Sequence, residues 1–391
     1  MYQLPSSFFA GSARSKDSAQ QHGGAPAAPS RRPRRRFIAF AADLGAAALA
    51  FTAVLILTQP HPAALTVRQI ASFSDPGTQG VGSVVFSRDG KILAAADESG
   101  RTYLRDTGTA RLVATLTDPG SNGNGVGAST AFSPNGATLA TSDGNDSTFL
   151  WNIATGRRIT TLTDPRSQGV TSVAFSPDGT ILATGDENDG ISLWDVVAGR
   201  RIATLTDGAG GGIGVTAVAF SPDGTTLAAG DGDGDVYLWN VATGRLIATL
   251  TDSEAGYGLS ITSLAFSPDG RSVAAGNTGG YAYVWPAGAT EPAVSVANPG
   301  SMALNYSSQG DDDSPTSGND SVDVAFSPDG TLVAADYFGG DICWWHGASL
   351  FATVTDDSQS ISALALSPDG RTVAVGGGYE GNQSLVLWRV S

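Results

Sequence analysis

Short apolar runs separated by turn residues fill most of the chain, and the clearest example lies between Val170 and Asp207. Four runs there are rich in the β-branched and aromatic residues that favour strands: Val170–Ser176, Ile181–Gly185, Ile191–Asp195 and Arg201–Thr206. The first two are joined by Ser-Pro-Asp-Gly, where proline presets φ for a tight turn and glycine supplies a positive φ. The pattern predicts a unit of four antiparallel strands, which cannot bury both of its faces alone.

The same unit recurs along the chain. Its turn reads SRDG at 87–90, SPNG at 133–136, and SPDG at 176–179, 221–224, 267–270, 327–330 and 367–370. Its third strand contains a tryptophan in most repeats: Trp151, Trp194, Trp239, Trp285, Trp344 or Trp345, and Trp388, with Arg105 in the first repeat. A period of roughly 40–45 residues with four strands per repeat is typical of a β-propeller blade.

These turns and tryptophans resemble the WD-repeat (WD40) family over about residues 69–391, in seven units. The resemblance implies an all-β, seven-bladed propeller in which Trp151, Trp194, Trp239, Trp285 and Trp388 lie in the blade cores. The Trp-Asp dipeptide is intact only at Trp194-Asp195, and the Gly-His pair of the family is absent. We therefore expect blade packing to provide more of the stability than the family's His–Ser–Asp–Trp hydrogen-bond network does.

The region before the repeats has a different composition. Residues 1–36 lack apolar periodicity and end in a cluster of five arginines between 31 and 36, which predicts a disordered basic tail. Residues 37–58 are apolar apart from Asp43, and a helix of about 22 residues spans about 30 Å of hydrocarbon, so they predict a transmembrane helix. A cleaved secretory or twin-arginine export signal is the alternative. The arginines place the tail in the cytoplasm and the propeller outside the membrane.

Residues 59–68 are interpreted as a linker. The following Ile70–Ser74 matches the fourth strand of a repeat, whereas the chain ends just after a third strand. We therefore predict that Ile70–Ser74 pairs with Leu385–Arg389 and closes the ring, hiding an open strand edge. The spacing is longer between the fifth and sixth units, where Ala293–Val296 predicts the fifth blade's outer strand within a long loop at 287–321.

Composition limits the possible chemistry. A single cysteine, Cys343, excludes an internal disulfide, and no histidine has a partner at catalytic or metal-ligand spacing, so no cofactor is predicted. The run Asp231–Asp235 resembles a calcium loop, but it lacks the required glycine and glutamate, and a tight turn is favoured. Residues 59–391 hold 15 basic and 35 acidic residues, a net charge of −20, which argues against a nucleic-acid partner.

Once the blades are laid out as in this family, charge divides between two faces. Aspartates open the loops between fourth and first strands and between second and third strands: Asp75, Asp118, Asp164, Asp207, Asp252, Asp356, Asp97, Asp143, Asp186, Asp231 and Asp336. Aspartate forms turns by bonding to its own backbone, which is one interpretation. The other is an acidic rim that attracts a cation or a basic partner.

The opposite face gathers arginines in the loops between third and fourth strands: Arg111, Arg157, Arg158, Arg200, Arg201 and Arg245. The predicted linker leaves the ring on this side, so we expect this basic face to lie near the membrane, where anionic head groups attract arginine. The alternative is that these arginines only neutralise an acidic domain.

The resemblance implies a non-catalytic platform that binds a protein or peptide, since propellers of this family generally act as rigid interaction platforms. The repeats also resemble the extracytoplasmic WD regions of bacterial membrane-anchored proteins, which suggests a single-pass anchored binding or sensor module. The alternative is a metal-dependent hydrolase or lactonase-like enzyme that uses the acidic loops, and a purely structural role is a third possibility. The sequence predicts neither the ligand nor the oligomeric state.

Overall fold

The computed structural model describes residues 65–73, 80–118, 129–142, 146–188, 190–206, 214–251, 259–290, 292–297, 321–336, 340–355, 361–377 and 385–391. Within these ranges, 28 strands form seven antiparallel sheets of four strands each. Each sheet is one blade, and its strands are called a to d from the inside outwards. The predicted all-β, seven-bladed propeller is confirmed.

The strands follow one another blade by blade along the chain, after the first strand β1 (Val67–Phe73). Blades 1 to 3 contain β2 (Val81–Phe86), β3 (Ile92–Asp97), β4 (Arg101–Asp106) and β5 (Leu112–Thr117); β6 (Thr130–Phe132), β7 (Thr138–Ser142), β8 (Ser147–Asn152) and β9 (Arg157–Thr163); and β10 (Val170–Phe175), β11 (Ile181–Asp186), β12 (Ile191–Asp195) and β13 (Arg200–Leu205). Blades 4 and 5 contain β14 (Val215–Phe220), β15 (Thr226–Asp231), β16 (Val236–Asn240) and β17 (Arg245–Leu250); and β18 (Ile261–Phe266), β19 (Ser272–Asn277), β20 (Tyr281–Pro286) and β21 (Val294–Ala297). Blade 6 contains β22 (Val322–Phe326), β23 (Leu332–Asp336), β24 (Asp341–His346) and β25 (Ser349–Thr355), and blade 7 contains β26 (Ile361–Leu366), β27 (Thr372–Gly377) and β28 (Leu385–Val390) together with β1.

The repeated Ser-Pro-Asp-Gly motif forms the turn between strands a and b. In blade 3, Ser176 Oγ donates to Asp178 Oδ1 (2.6 Å) and accepts from the Ile181 amide (2.9 Å). Gly179 has a φ of 74°, which glycine adopts without strain. The hydrogen bond from Ser176 lowers the pKa of Asp178. This network explains why serine, aspartate and glycine recur together at this turn.

Neighbouring blades approach closely where a glycine near the end of strand b meets the next inner strand. A Cβ on Gly230 would lie 2.4 Å from Ile261 Cγ2, and a Cβ on Gly376 would lie 2.5 Å from Val81 Cγ1. A larger residue would push the two blades apart, so glycine at this position allows the blades to pack.

Serine side chains on strand a join successive blades around the axis. In four blades a serine Oγ accepts a hydrogen bond from a backbone amide of the next inner strand: Ser83 from Thr130 (3.1 Å), Ser129 from Val173 (3.2 Å), Ser172 from Val218 (3.0 Å) and Ser263 from Val324 (3.2 Å). Blade 6 carries Asp323 at this position, and its Oδ2 accepts from the Leu364 amide (2.6 Å). Blades 4 and 7 carry Ala217 and Ala363. Bonds from this position lock five of the seven junctions of the inner ring, and at the junction of blades 7 and 1 Ser362 Oγ donates to the Val81 carbonyl (2.8 Å).

The last blade is completed by the start of the described chain. β1 pairs antiparallel with β28, with Phe73 opposite Leu385 and Val67 opposite Val390, which confirms the predicted closure of the ring. The strand begins at Val67, so the last two residues of the predicted linker belong to the propeller. Because β1 runs antiparallel to β28, the chain enters the ring at the end where β28 finishes.

The tryptophans occupy the predicted core positions, although their hydrogen bonds differ between blades. Trp151, Trp194, Trp239 and Trp285 are buried, and Trp388 is partly buried. In blade 2, Trp151 Nε1 donates to Thr141 Oγ1 (2.9 Å), and Thr141 donates to Asp118 Oδ1 (3.0 Å); in blade 3, Trp194 donates to Thr184 (3.1 Å). Two blades thus keep a network of the predicted type, with aspartate as the final acceptor in blade 2.

The other three of these five tryptophans have apolar neighbours at the threonine position. The equivalent residue is Ala229 in blade 4, Ala275 in blade 5 and Val375 in blade 7. The Nε1 atoms of Trp239, Trp285 and Trp388 have no hydrogen-bond partner among the described residues. In these blades, packing alone holds the indole rings, as the sequence led us to expect.

In blade 1, Arg105 takes the place of tryptophan. It is buried, and its guanidinium lies 4.2 Å from the centre of the Phe73 ring in β1. This cation–π contact joins blade 1 to the closing strand of blade 7.

The predicted outer strand of blade 5 is confirmed as β21, which pairs with β20. Residues 298–320 of the long loop lie outside the described residues, as do the predicted tail and membrane span at 1–58. Within the described part of the chain, no helix is long and apolar enough to cross a bilayer.

Candidate functional site

The strand order places two sets of loops at the end of the ring where the inner strands begin, here called the acidic end. These loops join strand d to the next strand a, and strand b to strand c. Asp97, Asp118, Asp164, Asp186 and Asp231 of the predicted acidic set lie there, and Asp336 ends β23 at the same end. The other members lie outside the described residues: Asp75, Asp143, Asp207, Asp252 and Asp356.

Three of these carboxylates cap the turn between strands b and c. Asp97 Oδ1 accepts from the amides of Ser99 (3.0 Å) and Arg101 (2.8 Å). Asp186 Oδ1 accepts in the same way from the amides of Asn188 and Gly190. Asp231 Oδ1 accepts from the amides of Asp233 and Asp235. The calcium-like run at 231–235 is therefore a tight turn, as predicted. At these positions the structure supports the turn-forming interpretation of aspartate.

Asp118 and Asp164 are buried and contact groups inside the blades. Asp118 accepts the Thr141 hydroxyl already described, and Asp164 Oδ2 accepts from Ser192 Oγ (2.9 Å) and pairs with Arg201. Burial opposes the ionisation of Asp164, but hydrogen bonds from the Arg166 amide, Ser192 and Arg201 outweigh it and lower its pKa. Both carboxylates hold their blades together.

Other acidic side chains at the acidic end are more accessible. Glu187 and Asp233 are exposed, and Glu98 is half-buried. Burial and the neighbouring Asp97 raise the pKa of Glu98, and burial together with Asp231 and Asp233 raises the pKa of Asp235. In the described part of the chain, Arg101 and Arg166 are the only basic residues at this end. The carboxylates therefore repel one another, and a bound cation would relieve that repulsion.

A channel of about 320 Å³ opens at the acidic end, lined by the first halves of the seven inner strands. Most of its polar lining consists of serine and threonine hydroxyls, and Asp323 is its one ionisable residue among those described. Burial raises the pKa of Asp323 to about 6, although Ser263 donates to its Oδ1 and the Leu364 amide to its Oδ2. The channel thus carries a single carboxylate just inside the acidic mouth.

Our sequence-based reasoning missed Asp323. The signal was present, because the inner strand reads SVDVAF at 321–326 where blade 3 reads VTSVAF at 170–175. An acidic residue stands where four other blades carry serine, which marks a position that faces the axis.

Two models of known protein families match parts of the chain. Residues 125–275 match the model described as nucleolar protein 10-like, N-terminal domain, and residues 348–389 match the WD domain, G-beta repeat. No curated protein matches the chain significantly. The two matches lie within the ring of seven four-stranded blades. These matches and the seven-bladed ring support the WD-repeat β-propeller family for this chain. Propellers of this family generally bind protein partners and are typically non-enzymatic scaffolds.

In this WD-repeat propeller, metal-binding residues do not converge within the described ranges. No three His, Cys, Asp or Glu side chains there could hold one ion together. The acidic side chains lie around the rim instead, and the five predicted aspartates whose contacts are described are engaged by their own turns or blades.

The opposite end of the WD-repeat ring, here called the arginine end, contains the loops between strands c and d. Arg111, Arg157, Arg200 and Arg245 are exposed there, and so is Arg158, whose guanidinium lies 5.7 Å from the centre of the Phe149 ring. Arg201 also comes from this set, but its guanidinium pairs with Asp164 within the ring. The chain enters the propeller at this same end, because Val67 pairs with Val390.

Proposed function

We propose that this chain is a non-catalytic platform that binds a basic protein or peptide segment at its acidic end. The observation that carries the proposal is the difference in charge balance between the two ends. Among the described residues, the acidic end has many carboxylates and two arginines, whereas the turn aspartates of the arginine end, such as Asp89, Asp106 and Asp195, stand beside most of the other basic residues. The closed ring supports these loops rigidly, so a partner would meet a preformed surface.

In this proposal the partner contacts the carboxylates that are not engaged within the propeller. Among the described residues, turn-capping and buried aspartates are engaged, and the accessible charges include the exposed Glu187 and Asp233 and the half-buried Glu98, with Asp323 inside the channel mouth. Attraction of this kind raises the association rate and depends on salt.

The test is binding of an arginine-rich peptide and its glutamine-substituted counterpart, measured by calorimetry at low and high salt. A triple variant Glu98→Gln, Glu187→Gln, Asp233→Asn should lose most of the binding. The control variant Asp89→Asn, Asp106→Asn, Asp195→Asn removes the same charge from the arginine end, where asparagine keeps the turn acceptors. Equal affinity of the two variants would refute the proposal.

We also propose that residues 37–58 anchor the chain in a membrane with the propeller outside it. The support is the apolar run of about 22 residues, the arginines before it, and the six residues, 59–64, that separate it from the described chain. The arginine end then faces the bilayer and the acidic end faces away from it. Alkaline extraction of membranes and protease treatment of intact cells test the anchor, and amino-terminal sequencing of the mature protein distinguishes it from a cleaved export signal.

A further inference from the structure

A β-bulge recurs in the outer strands of consecutive blades and directs an aliphatic side chain outwards. The register between strands c and d shifts in the same place in blades 7, 1, 2, 3 and 4. The extra residues are Ile70, Val113, Ile159, Ile202 and Ile247. Bulges re-aim side chains, and these five are all exposed, with Val113 at 56% and Ile159 and Ile247 at 55%. They form one arc, here called the bulge belt.

Exposed arginines flank the bulge belt. Arg111 precedes Leu112-Val113, Arg157-Arg158 precede Ile159, Arg200 lies two residues before Ile202, and Arg245 precedes Leu246-Ile247, while Arg68 lies two residues before Ile70. The outer strands β1, β5, β9, β13 and β17 contain no acidic residue. Aliphatic and cationic side chains therefore lie together on five outer strands, and the neighbouring carboxylates Asp106 and Asp195 end strand c of blades 1 and 3.

The two remaining blades interrupt the arc. β21 of blade 5 pairs with β20 without a register shift, and in blade 6 the bulge residue is the half-buried Phe351, with no arginine in β25. The belt thus runs around five of the seven blades and is interrupted at blades 5 and 6. A single exposed aliphatic residue is ordinary on a protein surface, but five at one register beside arginines form a patch.

We propose that the bulge belt contacts the headgroup region of an anionic lipid bilayer. Each bulge lies at or before the middle of its outer strand, next to the arginine end, so a bilayer that faces this end would meet the belt along its rim. The arginines complement anionic lipid, and the aliphatic side chains enter the apolar boundary. The chain enters the propeller in blade 7, at one end of this arc, six residues after the apolar run at 37–58. This inference rests on the proposed membrane anchor and adds which side chains next to the arginine end meet the lipid.

The experiment uses the full chain in lipid nanodiscs that contain spin-labelled lipid. Single cysteines introduced as Val113→Cys, Ile159→Cys and Ile247→Cys receive a fluorophore, while the native Cys343 is buried and stays unlabelled. A fluorophore at Glu187→Cys reports whether the acidic end lies near lipid. Ser295→Cys is the matched control, since Ser295 is exposed on the outer strand of blade 5, outside the belt.

We expect strong quenching at the three belt positions in anionic nanodiscs, weaker quenching at Ser295 and none at Glu187. Neutral lipid, or Arg157→Gln with Arg158→Gln, should lower the quenching at the belt. An anchored chain whose belt positions are quenched no more than Glu187 would overturn the proposal, as would equal quenching in neutral and anionic lipid. If the chain does not enter nanodiscs, the anchor is refuted. Quenching of the belt fluorophores by added anionic vesicles that contain spin-labelled lipid then tests separately whether the belt contacts lipid.

Discussion

Asp323 allows a quantitative test of the inner ring. Its carboxylate accepts a hydrogen bond from a backbone amide of the next blade, as a serine hydroxyl does in four other blades, but it places a charge in the channel. We expect Asp323→Asn to stabilise the protein at neutral pH, because the amide keeps an acceptor for the Leu364 amide and a donor for Ser263 while removing the cost of burying a charge.

The magnitude follows from the pKa of Asp323. Burial raises this pKa from 3.8 to about 6, and at 1.36 kcal/mol per pKa unit that corresponds to about 3 kcal/mol. Since the folded pKa lies above the unfolded one, the protonated carboxyl favours folding. That stability is fully present below pH 3.8 and is lost as the pH rises through about 6. The advantage of the variant should therefore be near zero at about pH 4 and reach about 2–3 kcal/mol at about pH 7.5.

The assay is urea unfolding of both proteins at several pH values, with the difference in the free energy of unfolding plotted against pH. Taking the difference removes the contributions of the many other carboxylates. Glu187→Gln changes the net charge equally at an exposed position and should give a flat difference. Asp323→Ser, which restores the serine of other blades, should behave like the asparagine variant. A destabilised variant at pH 7.5, or a difference that does not vary with pH, would refute the reasoning.

Three further predictions concern the blades. Thr141→Val removes the hydrogen bonds to Trp151 and Asp118 and should lower the free energy of unfolding by about 1–3 kcal/mol, measured by urea unfolding. Ala275→Ser offers an acceptor to the indole N–H of Trp285, and it should raise the free energy of unfolding by about 0.5–1.5 kcal/mol in the same assay. Deleting residues 1–75 removes β1 and should produce a protein that aggregates or melts at a clearly lower temperature than the chain beginning at residue 59, measured by scanning calorimetry.

Each of these predictions has a control or a contrary result. Thr115→Val changes an exposed threonine and should leave stability nearly unchanged. Ala274→Ser adds a hydroxyl at the neighbouring buried position, on the other face of the strand, and should destabilise. Equal melting temperatures of the two truncated chains would show that β1 does not close the ring.

The fold could be predicted from the sequence because its signals are local. The Ser-Pro-Asp-Gly turn is fixed by hydrogen bonds within six residues, as the contacts of Ser176 with Asp178 and Ile181 show. Ring closure followed from counting strands: one fourth strand was in excess at the start of the repeats and one was missing at the end.

The candidate site was harder to predict because its chemistry depends on non-local contacts. Asp118 and Asp97 stand at comparable loop positions in the sequence, yet one enters a blade core and the other caps a turn. Arg201 belongs to a run of loop arginines, but Asp164, 37 positions away, holds it within the ring. The bulges that expose Ile159 and Ile247 are shifts of register between two strands, and a single strand's pattern of residues does not contain that information.

The sharing of blade 7 between the two ends of the described chain has a consequence for biosynthesis. Thr66 and Ser391 exchange backbone hydrogen bonds although they lie 325 positions apart. β1 is therefore synthesised before any blade and stays unpaired until the final strand, β28, is complete. Contacts of such long range slow folding, and an open strand edge promotes aggregation in the meantime. The other six blades can form before β28 is made, so a chain that stops within β28 has an open ring rather than a slightly shorter propeller.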